Sequence, residues 1–178
     1  NWSKEVLELA KEKKKPILLS IGYASCHWCH VMAHESFEDK ETAELMNKYF
    51  INIKVDREER PDIDFVFQSA YQLFNQAGGG WPLTMFLDEN GIPFMGGTYF
   101  PKIEQAGLPS FKIIINKVHE AYKIQREKII NQSGLIIKSL ELQQSSVINQ
   151  ELEPILEIVI NNLDPVKGGY KGAPKFPT

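Results

Sequence analysis

Pro16-Ile17-Leu18-Leu19-Ser20-Ile21-Gly22 reads as a buried strand, and it leads within a few residues into Cys26-His27-Trp28-Cys29, after which Val31-Met32-Ala33-His34 opens a helical pattern. A Cys-x-x-Cys pair at a helix start, directly after a strand, is the local geometry of a dithiol/disulfide redox centre. The chain has no other cysteine. The first turn of a helix leaves N–H groups unpaired and carries about half a positive charge, so a thiolate at Cys26 is stabilised and its pKa is expected to fall. His27 adds to this when protonated. A fall of about two units from roughly 8.5 raises the thiolate fraction at neutral pH about 25-fold, while weaker intrinsic nucleophilicity takes back roughly 8-fold. The larger effect is on the couple: two units are about 2.7 kcal/mol, or up to about 60 mV toward a more oxidising potential. A very strong reductant is therefore not expected.

The 178 residues, 43% of them apolar, suffice for one well-buried domain and a smaller appendage. A net charge of -3 with interspersed signs carries no nucleic-acid footprint. The longest apolar run is too short to cross a bilayer, and the N-terminus lacks the basic-then-apolar order of a signal peptide, so the expectation is a cytoplasmic protein acting without membrane or nucleic acid. In that compartment a cysteine pair points to catalysis or metal binding rather than a structural staple. Starting at Asn1 and stopping at Thr178 in a Gly/Pro-rich stretch, the chain reads as a fragment.

Outward from the strand, residues 2–15 predict a short helix capped by Ser3 and ended by Pro16. Residues 26–49 predict a helix that breaks near Ser36 to Lys40, with Asp39 capping its second half. Phe50 to Asp56 alternates as a strand, and Pro61-Asp62-Ile63-Asp64 opens a helix that runs to about Ala77. Segments 83–87 and 93–100 flank Asp88-Glu89-Asn90-Gly91, strong hairpin chemistry. Phe111, Ile114, Ile115, Val118, Tyr122 and Ile129 fall near helical spacing, predicting a helix over 109–130. The expected class is α/β, a mixed four-stranded sheet with helices on both faces in the order β-α-β-α-β-β-α. Beyond Asn131 the pattern is purely helical, with a joint at Ser145-Ser146 and a stripe of Leu152, Ile155, Leu156, Val159, Ile160 and Leu163. This tail is too small to bury a core alone.

The element order, the Cys-x-x-Cys and Trp81-Pro82 together resemble the thioredoxin superfamily, in which a cis-proline opens the third core strand beside the dithiol; Pro82 occupies that place. The strings Gly22 to Met32, Val55-Asp56-Arg57-Glu58-Glu59-Arg60-Pro61-Asp62, Gly79-Gly80-Trp81-Pro82-Leu83 and Gly96-Gly97-Thr98-Tyr99-Phe100-Pro101 narrow the match. They resemble the N-terminal thioredoxin-like domain of the spermatogenesis-associated protein 20-like family, across essentially the whole chain. The resemblance implies a thioredoxin-like three-layer α/β/α domain over residues 1–130. Residues 131–178 would be a helical extension and the start of an α/α-toroid domain absent from the chain, opened by Gly168-Gly169-Tyr170 and Ala173 to Pro177. The chain departs from thioredoxin proper at Ser20, where a buried aspartate is expected, at Ser25, which replaces a Trp, and at His27-Trp28, which replace Gly-Pro.

The candidate site follows. Cys26 is read as the exposed attacking thiol and Cys29 as the resolving one. His27, His30 and Asp56 are candidates for tuning or proton transfer, because the loop after Asp56 leaves the sheet at the same edge as the dithiol. Trp28, Trp81 and Pro82 are the candidate substrate-binding residues. His34 and His119 read as structural, the Asp56-to-Arg60 cluster also reads as a solvated turn, and Gly78 to Gly80 lacks the Lys-Ser/Thr of a phosphate loop. No cofactor and no metal are expected. A Cys26, Cys29, His30, His34 zinc site crowds its ligands onto one helix start, and a c-type haem attachment would need open space around the motif. The function this supports is a thiol:disulfide oxidoreductase acting on a disulfide-containing protein or a small thiol. The alternative is a non-enzymatic docking or regulatory domain for the toroid.

Overall fold

The computed structural model describes residues 1–105, 107–144, 152–166 and 168–171. Helix α1 (Lys4–Lys13) begins at Ser3, whose hydroxyl accepts the Val6 N–H, and ends where Lys14 adopts a left-handed conformation. Strand β1 (Ile17–Gly22) follows. Helix α2 (His27–Met32) starts at Cys26 and passes into a π-helical turn over Ala33–Phe37; helix α3 (Lys40–Tyr49) restarts at Asp39, whose carboxylate caps Thr42. The expected break thus falls where the sequence places it, at Glu38-Asp39, directly after the π-helical turn. Strand β2 (Ile51–Asp56) and helix α4 (Pro61–Asn75), with Pro at its first position, complete the first half.

Strands β3 (Leu83–Leu87) and β4 (Pro93–Gly97) form the hairpin. The turn is held by Asp88, whose Oδ1 accepts the N–H groups of Asn90 and Ile92, while Gly91 takes a left-handed φ of 83°. The sheet order is β2-β1-β3-β4, with β1 and β2 parallel and the other pairs antiparallel. This is the mixed four-stranded sheet of a thioredoxin-like α/β fold.

Period-2 alternation sends the strands' side chains into two cores. Ile17, Leu19, Ile21, Ile53, Val55, Leu83, Met85 and Leu87 face one side and meet Ala10 of α1 and Ile63, Phe67 and Ala70 of α4. Leu18 and Phe86 face the other side, where Met32 and helix α5 (Phe111–Ile124) supply Phe111, Ile114, Ile115 and Val118. Ser20 shares the Leu18 face, directed toward the dithiol side.

Three boundaries differ from expectation. Strand β4 stops at Gly97, so Tyr99 and Phe100 lie beyond it. The single helix expected over 109–130 is two, because Gln125 leaves helical geometry and helix α6 (Arg126–Gln144) starts afresh. Most consequentially, the first compact unit runs from Asn1 to Gln143 rather than to residue 130, since Ile129 is buried and Ile136 and Leu140 of α6 pack against the α1/α4 core. The second unit begins at Gln144. In it, helix α7 (Leu152–Asn162) leads into a turn closed by a bridge between Leu163 and Tyr170. The Ser145-Ser146 joint and Ala173 to Pro177 lie outside the described residues. Among the described residues no helix is long and apolar enough to cross a membrane.

Candidate functional site

Strand β1 delivers the chain to Gly22, a turn closes with the Cys26 N–H on Tyr23 O at 3.2 Å, and α2 begins. Cys26 and Cys29 are joined as a disulfide, their Cα atoms 5.2 Å apart. The Cys29 N–H donates to Cys26 Sγ at 3.2 Å, so the first sulfur occupies the place of a capping acceptor. Gly22 allows this: a Cβ there would stand 2.7 Å from Cys29 Sγ. Exposure runs opposite to the sequence expectation. Cys26 is only 3% exposed, whereas Cys29 is half-buried. The capping position draws the first sulfur in against the helix end.

Two aromatic clusters accompany the pair, one beginning on α2 itself. There Trp28, 54% exposed, meets the His27 ring edge-on at 5.7 Å and the Tyr99 ring at 5.1 Å. The Tyr99 hydroxyl donates to Glu35 in the π turn at 2.6 Å, and its phenol is pushed up to about 12 by burial first and by Glu35 second. The second cluster precedes β3, where the Trp81-Pro82 peptide is cis and Pro82 is buried. Trp81 is fixed from behind: its indole N–H donates to Asp64 Oδ1 at 2.9 Å, and the Arg57 guanidinium lies 3.9 Å from its ring centre and 5.7 Å from that of Tyr23. Asp64, 6% exposed, also pairs with Arg57 at 3.6 Å and accepts from Gln68 at 3.4 Å. Gln68 reaches on to Gly80 O, in space that a side chain at Gly79 would fill. The Arg57 N–H closes the circuit on Gly22 O.

A cavity of about 290 Å³ opens behind Cys29, lined among others by Ser20, His30, Lys54, Asp56, Glu59 and Pro82. It gathers Cys29, His30, Asp56 and Pro82 from the predicted set. His27, Trp28 and Trp81 stand outside it. Asp56 accepts the Glu58 N–H at 2.8 Å, and His30 Nε2 lies 2.8 Å from Ala24 O. His34 pairs with Glu38, and His119 stacks on Tyr49 with its pKa lowered, by burial first. Of the four side chains of the zinc alternative, Cys26 and Cys29 are bonded to each other while His30 and His34 turn to separate partners. Among the described residues no group of three or more His, Cys, Asp or Glu could hold a metal. Sequence reasoning missed Asp64, Gln68 and the Glu35–Tyr99 pair, and read Arg57 as part of a solvated turn. The available signal was Asp64 beside the apolar stripe Ile63, Phe67 and Ala70, with Gln68 one turn on.

Residues 1–141 match the family described as Thioredox_DsbH, protein of unknown function, DUF255. The chain belongs to this family. Over 180 residues it is 40% identical to the uncharacterized protein B0495.5 of Caenorhabditis elegans, and over 186 residues 37% identical to human spermatogenesis-associated protein 20; both alignments cover 99% of the chain. The chain spans about a quarter of the length of these curated relatives, 25% and 24% respectively. Among solved structures it is similar to a DsbH oxidoreductase, with TM-score 0.49 and 22% identity over 70% of this chain and 85% of that one. It is also similar to a disulphide isomerase from Xylella fastidiosa Temecula1, with TM-score 0.42 and 21% identity over 75% and 87%. The family match and the curated relatives bear out the spermatogenesis-associated protein 20-like resemblance, and the thioredoxin-like fold is that of the β2-β1-β3-β4 sheet described above.

Proposed function

We propose that this DUF255 domain is a thiol:disulfide oxidoreductase. In the reduced form the Cys26 thiolate attacks a substrate disulfide, forming a mixed disulfide and expelling one substrate thiolate. Cys29 then attacks the Cys26 sulfur, releasing the second substrate thiol and closing the Cys26–Cys29 bond. Two electrons pass to the substrate, and a thiol donor must return them. The observation that carries this reading is the bridged pair at a helix start, whose first sulfur receives the Cys29 N–H at 3.2 Å and whose second lines a cavity with Pro82. That N–H and the helical run over 27–37 favour negative charge at Cys26. Trp28, Trp81 and Pro82 would hold the substrate strand. His30 and Asp56, on the cavity wall with Cys29, would move its proton through water. We place the domain in the cytoplasm, where a reduced thiol pool keeps such a pair cycling.

The 3% exposure of Cys26 favours a second reading, a docking or regulatory domain for the rest of a longer protein, with the first sulfur shielded. Turnover separates the two. The chain should accelerate reduction of insulin disulfides by dithiothreitol well above the buffer rate, and Cys26→Ser should abolish this. A wild-type rate equal to buffer would refute the oxidoreductase reading.

A further inference from the structure

We propose that the cavity behind Cys29 is the binding site of the electron donor, a zwitterionic low-molecular-weight thiol that attacks Cys29 and expels Cys26 as thiolate. This rests on the oxidoreductase reading and supplies the donor it requires. At about 290 Å³ the cavity lies at the lower end of small-molecule pockets, roughly 300–1,000 Å³, so it admits a small thiol but no polypeptide loop. Cys29 is on its wall; Cys26 is not, and is buried. Ser20, short and neutral, leaves the floor open. Lys54, Asp56 and Glu59 bring charges of both signs to the wall, matching a donor that carries carboxylate and ammonium groups as cysteine and glutathione do.

The direction of cleavage follows from the sulfurs. A thiolate attacks the reachable sulfur and expels the one better able to carry negative charge. Cys29 is reachable from the cavity, and Cys26 already accepts the Cys29 N–H. In the first step a bond forms between the donor sulfur and Cys29, the Cys26–Cys29 bond breaks, and its electron pair stays on Cys26. In the second step another donor thiolate attacks the donor sulfur of the mixed disulfide, forming the donor's own disulfide and releasing Cys29 as a thiolate, which takes a proton from water. Two donor thiols are oxidised and the protein pair is reduced. The Cys26 nucleophile for the next protein substrate is thus regenerated in the first step, while the donor occupies Cys29 on the cavity wall.

The test mixes the oxidised chain with limiting glutathione, quenches with excess N-ethylmaleimide and locates both adducts by fragment-ion mass spectrometry. Glutathione on Cys29 with maleimide on Cys26 is expected. The reverse placement, or no glutathione adduct on a chain that dithiothreitol reduces and that then turns over insulin, overturns this inference and leaves the oxidoreductase reading standing. A chain inert to every thiol and without insulin turnover overturns both. As a second measurement, Lys54→Gln, on the exposed face of β2, should lower the ratio of glutathione to 2-mercaptoethanol reduction rates about threefold. An unchanged ratio overturns the charge matching.

Discussion

Replacing Gly22 by alanine probes the contact between the end of β1 and the disulfide. A Cβ at Gly22 would stand 2.7 Å from Cys29 Sγ and 3.4 Å from Cys29 Cβ. The first distance is about 1 Å inside the ordinary 3.5–4.0 Å contact. Gly22 has no left-handed φ, so alanine meets no backbone strain and the cost falls on the sulfur. Inserting a methyl into a packed site costs about 1–3 kcal/mol. In the oxidised protein Cys29 Sγ is bonded to Cys26 and cannot turn away; in the reduced protein it rotates to another staggered position. The penalty therefore weighs on the disulfide form, and at about 30 mV per 1.4 kcal/mol the couple becomes more oxidising by roughly 20–65 mV. Equilibration in glutathione redox buffers, with the reduced fraction read by alkylation, measures the shift. Urea unfolding of each form checks its origin: oxidised Gly22→Ala should lose about 1–3 kcal/mol and the reduced form clearly less. A potential within about 10 mV of wild type, or equal losses in both forms, would refute the reasoning.

Asp64→Ala removes the acceptor of the Trp81 indole N–H and the partner of a partly exposed Arg57; a loss of about 2–3 kcal/mol in urea unfolding is expected, with a shift in tryptophan emission, and a loss under about 0.5 kcal/mol would contradict the assigned role. The Asp39 carboxyl is held well below its usual range by Lys102 first and by Thr42, so its stabilisation is complete above about pH 4 and fades as pH falls further. Asp39→Asn should therefore be less stable than wild type at neutral pH, with the gap closing in acid; a gap independent of pH would count against it. With Tyr99 pushed up to about 12, its folded-state advantage is intact below about pH 10 and is lost as pH rises through the folded value. An alkaline absorbance titration of the native chain should show one late phenol that Tyr99→Phe removes, and removal of an ordinary early phenol instead would disprove the Glu35 contact.

What the sequence disclosed was whatever depends on neighbours along the chain. The apolar run at β1 announced a strand buried on both faces, Ser3 and Asp39 announced caps, and Asp88 to Gly91 announced a hairpin, because each is governed by local backbone chemistry. The break at Gln125 was illegible: apolar spacing continues across it through Tyr122 and Ile129, and helical period alone cannot show that one residue leaves the helix. The extent of the first unit was missed for a related reason. Ile136 and Leu140 look like any helical stripe until a sheet face is there to receive them.

The site divides along the same line. Cys26, Cys29 and Trp81-Pro82 are legible as local strings, the cis geometry at Pro82 only through the superfamily resemblance, whereas the Asp64 network needs the sheet to bring α4, the turn after β2 and the loop before β3 together. That network answers a question raised by Ser20. With no acid beneath the pair, one of the buried carboxylates of this domain, Asp64, sits behind Trp81, holding a guanidinium against the ring that neighbours Pro82. The two arrangements place charge differently. An acid beneath Cys29 would fill the space that is here the cavity behind it, and the serine leaves that space open, as the proposed donor site requires, while Asp64 fixes Trp81. Ser20→Asp is thus the substitution that sets the two uses of the space against each other: it should aid proton removal from Cys29 yet slow reduction of the disulfide by glutathione. Stopped-flow reduction of the oxidised variant decides this, and a glutathione rate equal to or above wild type would show that the space behind Cys29 is not the donor's path.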